Sequence, residues 1–227
     1  MNILHINSNF GQSTTHKRIV EEINKLDAFG GRVFYPIPIN AQKQYLGLTY
    51  LDEVKCLRRY ERYMYFYRNA HLKNIMEEIY DLKSYNFILA HSMFSNGLLA
   101  WTMYKKYGIP YLVIVKNTDV NLYFKKLIHL RGTGRKILKD ASRIIFSACP
   151  YKDTVVENYI PQKDRNSIIS KSIVLPFGID NFWIENKHKM PTKSLSDSVK
   201  LLYVGRINKN KNIQLTIEAC KKLIDKG

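Results

Sequence analysis

The sequence predicts an open α/β fold, a parallel sheet with helices on both faces. Three observations carry that prediction. Short apolar runs alternate with stretches of helical period along almost the whole chain. The run Tyr111–Val115 (Y-L-V-I-V) is apolar without alternation, as in strands that a parallel sheet buries on both faces. Polar segments follow the apolar runs and lead into helices, the order of a strand–loop–helix crossover.

Taken in order, Asn2–Asn7 (N-I-L-H-I-N) reads as a buried first strand. Residues 14–25 read as a helix with Ile19, Val20 and Ile23 on one face and Ser13 or Thr14 at its N-cap. Gly30-Gly31 makes a turn, and residues 32–39 read as a strand that Pro36 and Pro38 push towards a sheet edge. Residues 40–66 lack a short-period signal and read as a long excursion with one helical part, before a clearer helix over 67–82. A strand is expected at 87–91, a helix at 97–107, a break at Gly108-Ile109-Pro110 and a strand at 111–115. Residues 119–139 read as helical with an interruption at Gly132-Thr133-Gly134. A strand at 144–147, a helix at 151–159 and a strand at 173–175 complete a domain over 1–184. The polar stretch 185–198 reads as a linker, and 199–227 as one further β-α unit.

Composition narrows the function classes. With 45% hydrophobic residues in 227, a sizeable core is expected and disorder is not. Cys56, Cys149 and Cys220 are far apart and show no C-x-x-C spacing, which fits a reducing cytosol and neither a metal cluster nor a disulfide framework. Residues 3–6 are too short for a signal-peptide core, and no run reaches the ~20 apolar residues of a membrane span. Thirty-six Lys and Arg against nineteen Asp and Glu give a net charge of +17, which favours anionic partners. Nucleic acid, an anionic membrane surface and phosphorylated small molecules compete on charge alone.

Several loops carry candidate chemistry. Asn7–Thr14 has one glycine, Gly11, to admit a ligand near the backbone. It does not match G-x-G-x-x-G, which argues against a nicotinamide or flavin enzyme. Ala90–Gly97 (A-H-S-M-F-S-N-G) places His91 and Ser92 between a strand and a helix, and a lone histidine there is either structural or a proton shuttle. In Val115–Asn121, another strand-to-helix junction, Thr118 or Asp119 would cap the helix. Residues 131–136 lack the Walker spacing and read as a basic surface turn. Residues 55–68 alternate Arg with Tyr, Met and Phe. As a helix they would either lie on an anionic membrane or pack their aromatics inward. Basic α/β proteins also bind nucleic acid, but no RRM, KH, helix-turn-helix or zinc signature is present.

The last segment, 199–213 (V-K-L-L-Y-V-G-R-I-N-K-N-K-N-I), reads as a strand, a cationic turn and a helix start, an arrangement that holds anions. It resembles the opening of the second domain in family-4 glycosyltransferases of the GT-B type. Residues 86–121 and 141–182 resemble the family's first domain. The resemblance implies a Rossmann-like acceptor-binding domain followed by the start of a donor-binding domain. Arg206 and Lys211 would hold the donor's diphosphate. His91, matching the second histidine of the family's H-x-H (Leu89 replaces the first), would face the transferred sugar as the catalytic residue. Gly11, Ser92, Asn117, Thr118 and Asp119 would lie on the acceptor side. The turn Leu175–Phe182, with Phe177 in place of the common Asn, would guide the chain between domains.

The resemblance further implies a nucleotide-sugar donor, a saccharide or lipid-linked acceptor, transfer with retention of configuration, and no metal or other cofactor. Members for bacterial capsule, exopolysaccharide or lipopolysaccharide share the N-T-D-V-N run, so surface-polysaccharide synthesis is expected, in the cytoplasm or on the inner face of the membrane. No specific nucleic acid is expected as partner. The family's acidic E-x7-E pair would lie past Gly227, so this polypeptide alone is expected to turn over no substrate.

Overall fold

The computed structural model describes residues 1–45, 47–179, 181–187, 201–205 and 207–225, in two units, Met1–Gly178 and Ile179–Gly227. The first unit runs β1 (Asn2–Ile6), α1 (Thr14–Asn24), β2 (Gly30–Pro38), β3 (Leu51–Leu57), α2 (Tyr65–Ile79), β4 (Phe87–Ala90), α3 (Gly97–Tyr107), β5 (Tyr111–Val115), α4 (Arg131–Asp140), β6 (Arg143–Phe146), α5 (Cys149–Tyr159), α6 (Gln162–Ser170) and β7 (Ser172–Val174). Its strands form one seven-stranded sheet, ordered β3-β2-β1-β4-β5-β6-β7, with every neighbouring pair parallel. This is the Rossmann-like fold class read from the sequence. The order reverses between β1 and β4, and there the crossovers part to opposite faces and leave a crevice at the strands' carboxyl ends.

Strand parity separates two cores. Leu4, Ile6, Ile88, Ala90, Val113, Val115, Ile144 and Phe146 pack with Leu72, Met76, Leu99, Met103, Ile137 and Val155 of α2 to α5. The alternate residues Ile3, Leu89 and Ile114 face the other way, with Ile23 of α1 packed on them. Val20 of α1 joins Val33, Leu51 and Phe10 beside that face. Helix α3 is buried nearly all round (Gly97, Leu98, Leu99, Ala100, Met103). In contrast, α1 buries only His16 and Val20, so its attachment depends on few contacts, a buried aliphatic contributing about 1.5–3 kcal/mol. Ser13 caps it, accepting from the Thr15 N–H.

The structure departs from the sequence expectations at identifiable places. Strand β2 is internal, paired with β1 and β3. Its prolines are tolerated because β1 pairing ends at Ile6–Phe34, so the missing N–H groups of Pro36 and Pro38 face no strand there. Residues 51–57 form the edge strand β3, and the basic aromatic stretch 55–68 is not one helix. It is the end of β3, a 3₁₀ turn at Arg59–Tyr63 and the start of α2. The interruption expected at Gly132–Gly134 lies earlier. A π-helical turn covers Asp119–Phe124 and a 3₁₀ turn Ile128–Leu130, while the glycines sit inside α4. Gly134 serves close packing, since a Cβ there would stand 2.6 Å from Phe94 Cζ and 3.0 Å from Phe124 Cζ. The basic run 131–136 is therefore helical; Arg131 Nε donates to the Phe124 carbonyl at 2.7 Å and Arg135 Nε to that of Tyr159 at 2.7 Å.

The second unit holds α7 (Asn181–Glu185), a 3₁₀ turn at Lys209–Lys211 and α8 (Ile213–Ile224). Helix α8 begins where the sequence predicts. Of the strand expected to open this unit, the described part, Leu201–Val204, is irregular and exposed. Among the described residues no strand pairs with them, and an unpaired strand leaves its backbone groups to water. Most of the expected linker, residues 188–198, lies outside the described residues, as do Asp180 and Arg206.

Candidate functional site

Three loops meet at the reversal point of the sheet. They follow β1, β4 and β5, and a buried polar network joins them. His91, the first residue after β4, donates its N–H to the Ile6 carbonyl at 3.0 Å. Asn96 ties the β1 and β4 loops together. Its Oδ1 accepts from the Ser8 N–H at 3.1 Å and from the Ser8 hydroxyl at 2.6 Å, and its Nδ2 donates to Ser92 Oγ at 3.0 Å. Asp119 ties the β4 and β5 loops. One oxygen accepts from the Met93 and Lys116 N–H groups at 3.2 and 2.9 Å, the other from the Phe94 N–H at 2.9 Å.

Three histidines lie between the sheet and α1. His5 and His91 share strand parity with Leu89 and so point to the α1 face. His5 Nδ1 is 3.1 Å from His91 Nε2. The His16 ring, from the first turn of α1, stands edge-on to His91 with centroids 5.9 Å apart, and its Nδ1 is 3.1 Å from Asn7 Nδ2. Burial pushes His5 down to about 4, and pushes His16 to about 4 with help from the Lys116 charge. His91 is held well below the ordinary histidine value, first by burial and then by His5, Lys116 and His16. All three rings are therefore neutral at pH 7. His5 Nε2 and His91 Nδ1 are buried with no hydrogen-bond partner among the described residues, so His91 retains a free ring nitrogen for a ligand hydroxyl or proton.

Lys116 is the cation of the site. Burial draws it down to about 8 against the opposing pull of Asp119. Its ammonium lies 5.2 Å from the centre of the Phe177 ring, a cation–π contact. The Asp119 carboxyl is itself pushed up by burial, which the three backbone N–H groups and Lys116 oppose.

The residues singled out from the sequence fall in three places. His91, Ser92 and Asp119 lie inside the network, each buried. Asp119 spends both oxygens on backbone N–H groups, so it shapes the site through Met93, Phe94 and Lys116. Asn117 and Thr118 are exposed on the β5 loop, and Asn117 Nδ2 donates to the Tyr151 hydroxyl at 2.8 Å. Gly11 faces β2, where a Cβ would stand 2.6 Å from the Tyr35 hydroxyl, so a larger residue would have to displace the tip of that side chain. Lys211 closes the exposed 3₁₀ turn of the second unit, its N–H donating to Asn208 Oδ1 at 3.2 Å. The pattern of residues points to all three loops but does not mark His5 and His16. A histidine inside the apolar run Ile3–Ile6 was the available signal for His5.

Among the described residues, no group of three or more His, Cys, Asp or Glu side chains is arranged to hold a metal ion. No described helix is long and apolar enough to cross a membrane.

No family model matches the chain, and no curated protein matches it. Solved structures do. A sucrose-phosphate synthase chain from Thermosynechococcus elongatus superposes with a TM-score of 0.54 at 11% identity, over 78% of this chain and 90% of that one. At that identity the likeness is one of fold. A UDP-GlcNAc 2-epimerase from Neisseria meningitidis bound to UDP-GlcNAc matches with a TM-score of 0.49 at 12% identity, over 77% of this chain and 46% of that one. Arabidopsis thaliana UGT89C1 complexed with UDP matches with a TM-score of 0.47 at 10% identity, over 81% of this chain and 55% of that one. This chain thus spans about half the length of those last two.

Proposed function

We propose that the first unit is the acceptor-binding half of a GT-B glycosyltransferase of the family-4 type. The observation that carries this reading is the site at the β1–β4 reversal. A neutral, buried His91 with an unpartnered ring nitrogen sits among Ser8, Ser92, Asn96 and Lys116, at the place where open α/β sheets take ligands. Hydroxyl and amide groups of that kind bind sugars by hydrogen bonding, and a neutral imidazole accepts a proton without first losing one. The likeness in fold to a sucrose-phosphate synthase chain supports it.

In this reading Asn117 and Thr118 read the acceptor from the solvent side, and Gly11 keeps the β1 loop close to β2. Lys116 supplies positive charge to an anionic part of donor or acceptor. The donor is a nucleotide-sugar, with Arg206 and Lys211 of the second unit offsetting the charge on its diphosphate as it leaves. The sugar is transferred with retention of configuration, without a metal, to a saccharide or lipid-linked acceptor of a bacterial surface polysaccharide. The enzyme works in the cytoplasm or peripherally on the inner membrane face. The 227-residue polypeptide alone shows no turnover.

The test is transfer of radiolabelled sugar from a panel of nucleotide-sugars by the product of the whole source coding region. His91→Ala is expected to lower kcat about 100-fold or more, the usual share of a positioned acid–base group. Unchanged kcat in a folded His91→Ala enzyme would remove the site from the mechanism. Robust turnover by the 227-residue chain would overturn the claim that the acceptor half alone is inactive.

A further inference from the structure

A second site lies along the same sheet edge. A cavity of about 490 Å³ opens at the carboxyl ends of β2 and β3, lined by the apolar residues Pro38, Ile39 and Leu57 and by four arginines, Arg58, Arg59, Arg62 and Arg68. Strands of one sheet stand ~4.8 Å apart, so this cavity is about 10 Å from the end of β1. None of its arginines is part of the histidine network.

The arginine loop is built rather than incidental. Glu61, 1% exposed, accepts from the Arg58 N–H at 3.1 Å, and its other oxygen lies 2.7 Å from His71 Nδ1. That pins the 3₁₀ turn between β3 and α2 and so sets the spacing of Arg58, Arg59 and Arg62. Arg68 comes from the first turn of α2, and its Nε is buried with no hydrogen-bond partner among the described residues. A buried donor left unpaired is costly, and a ligand oxygen would relieve that cost. Among the described residues, Glu61 is the one carboxylate lining the cavity, and its oxygens already face Arg58 and His71. Four guanidinium groups thus exceed what one carboxylate ligand balances. Phosphate fits them: a planar fork can give two parallel N–H bonds to its oxygens, with Arg58 Nη1 and Arg62 Nη2 exchanging their present bonds to the Tyr60 and Tyr63 hydroxyls for the ligand. The apolar lining suits a carbon chain attached to that phosphate.

We propose that this cavity seats the phosphate group of a phosphate ester, held by Arg58, Arg59, Arg62 and Arg68. The inference stands on its own geometry. It is tested by binding and not by transfer, so its failure and that of the transferase reading are distinguishable.

Isothermal titration of the full chain would use two probes, sn-glycerol 3-phosphate and monomeric dihexanoyl phosphatidic acid, with dihexanoyl phosphatidylcholine as a zwitterionic control. Saturable binding of a phosphate monoester is expected, with the phosphatidylcholine weak. Stronger binding of the phosphatidic acid assigns the site to a lipid headgroup, and equal binding assigns it to a soluble ester; either supports the seat. Arg59 and Arg62 are exposed, so Arg59→Gln/Arg62→Gln should fold as the parent does, verified by its melting curve. It is expected to weaken binding about tenfold or more, since hydrogen bonds between charged groups are the strong ones. Arg59→Lys/Arg62→Lys should recover part of that loss. Undiminished affinity in the glutamine pair would overturn the proposal. So would absence of saturable binding by both esters, or tight binding of a single-stranded oligonucleotide that neither ester competes away.

Discussion

His5 Nδ1 and His91 Nε2 lie 3.1 Å apart although 86 residues separate them in the chain. One proton must sit on that line, because two bare nitrogens or two N–H groups would repel there. His91→Ala leaves the buried Nδ1 of His5 without its partner, and an orphaned buried polar group costs about 1–3 kcal/mol beyond the lost packing. Urea denaturation should show a lower midpoint for His91→Ala than for His91→Gln, whose amide can still reach His5. Equal midpoints would mean the contact contributes nothing to stability.

The same burial makes the fold acid-sensitive. His5 and His16 titrate at about 4 when folded, against an ordinary value of 6.5. Between those values the unfolded chain binds protons that the folded chain refuses, so stability rises with pH through that window. It is full above pH 6.5 and falls as the pH drops towards 4. Each histidine accounts for on the order of 3 kcal/mol at the acid end. His16→Gln should flatten the slope of unfolding free energy between pH 6.5 and 4.5 relative to the parent. Parallel slopes for the two would show that His16 is freely protonated in the folded protein.

Asp119 is the acceptor for three backbone N–H groups from two loops. Asp119→Ala strands all of them and should cost about 3 kcal/mol or more, charged acceptors being stronger than neutral ones. Asp119→Asn keeps one oxygen and should lose less. Hydrogen exchange at Met93, Phe94 and Lys116 reads the effect directly, and unchanged protection in the alanine variant would refute it.

Lys116 offers a spectroscopic check. Its side-chain ammonium should titrate near pH 8 by NMR, and Asp119→Asn, which removes the opposing negative charge, should move the midpoint lower. The folded value lies below the ordinary 10.5, so this group costs stability as pH falls from there through 8 and stays charged below it. A midpoint near 10 would place Lys116 in open water.

Two glycines of α4 separate packing from propensity. Gly134→Ala drives a methyl to within 2.6 Å of Phe94 and 3.1 Å of Met93, and overpacking of that kind costs about 1–3 kcal/mol. A Cβ at Gly132 meets nothing within 4 Å, so Gly132→Ala should be neutral or stabilising by up to about 1 kcal/mol. Thermal melts of both variants compare them, and equal shifts would contradict the packing around Gly134.

The sheet was legible because its central strands are apolar on both faces and end in Gly, Pro or polar loops, as at Tyr111–Val115. Strand β3 was not. Its residues L-D-E-V-K-C-L belong to an edge whose exposed side carries charge, among them Asp52, paired with Arg32 of β2. The prolines of β2 misled because the end of a neighbouring strand is a tertiary fact, absent from local pattern. The loops of the site were legible from strand–helix junctions. The histidine pairing was not, because it depends on strand parity and on β4 pairing next to β1. Nothing in the sequence told the capping reading of Asp119 from the binding one. That distinction needed the backbone of Met93 and Phe94, which approaches only when the loops fold together.

The central position of β1 has a consequence for how the chain is made. Its first neighbour, β2, follows within the same βαβ segment, but β4 comes much later. At roughly 5–20 residues per second of ribosomal synthesis, the 86 positions from His5 on to His91 take about 4–17 seconds to emerge. Throughout that interval one flank of β1 is an open row of hydrogen-bonding groups on the nascent polypeptide. The arrival of β4 closes that flank.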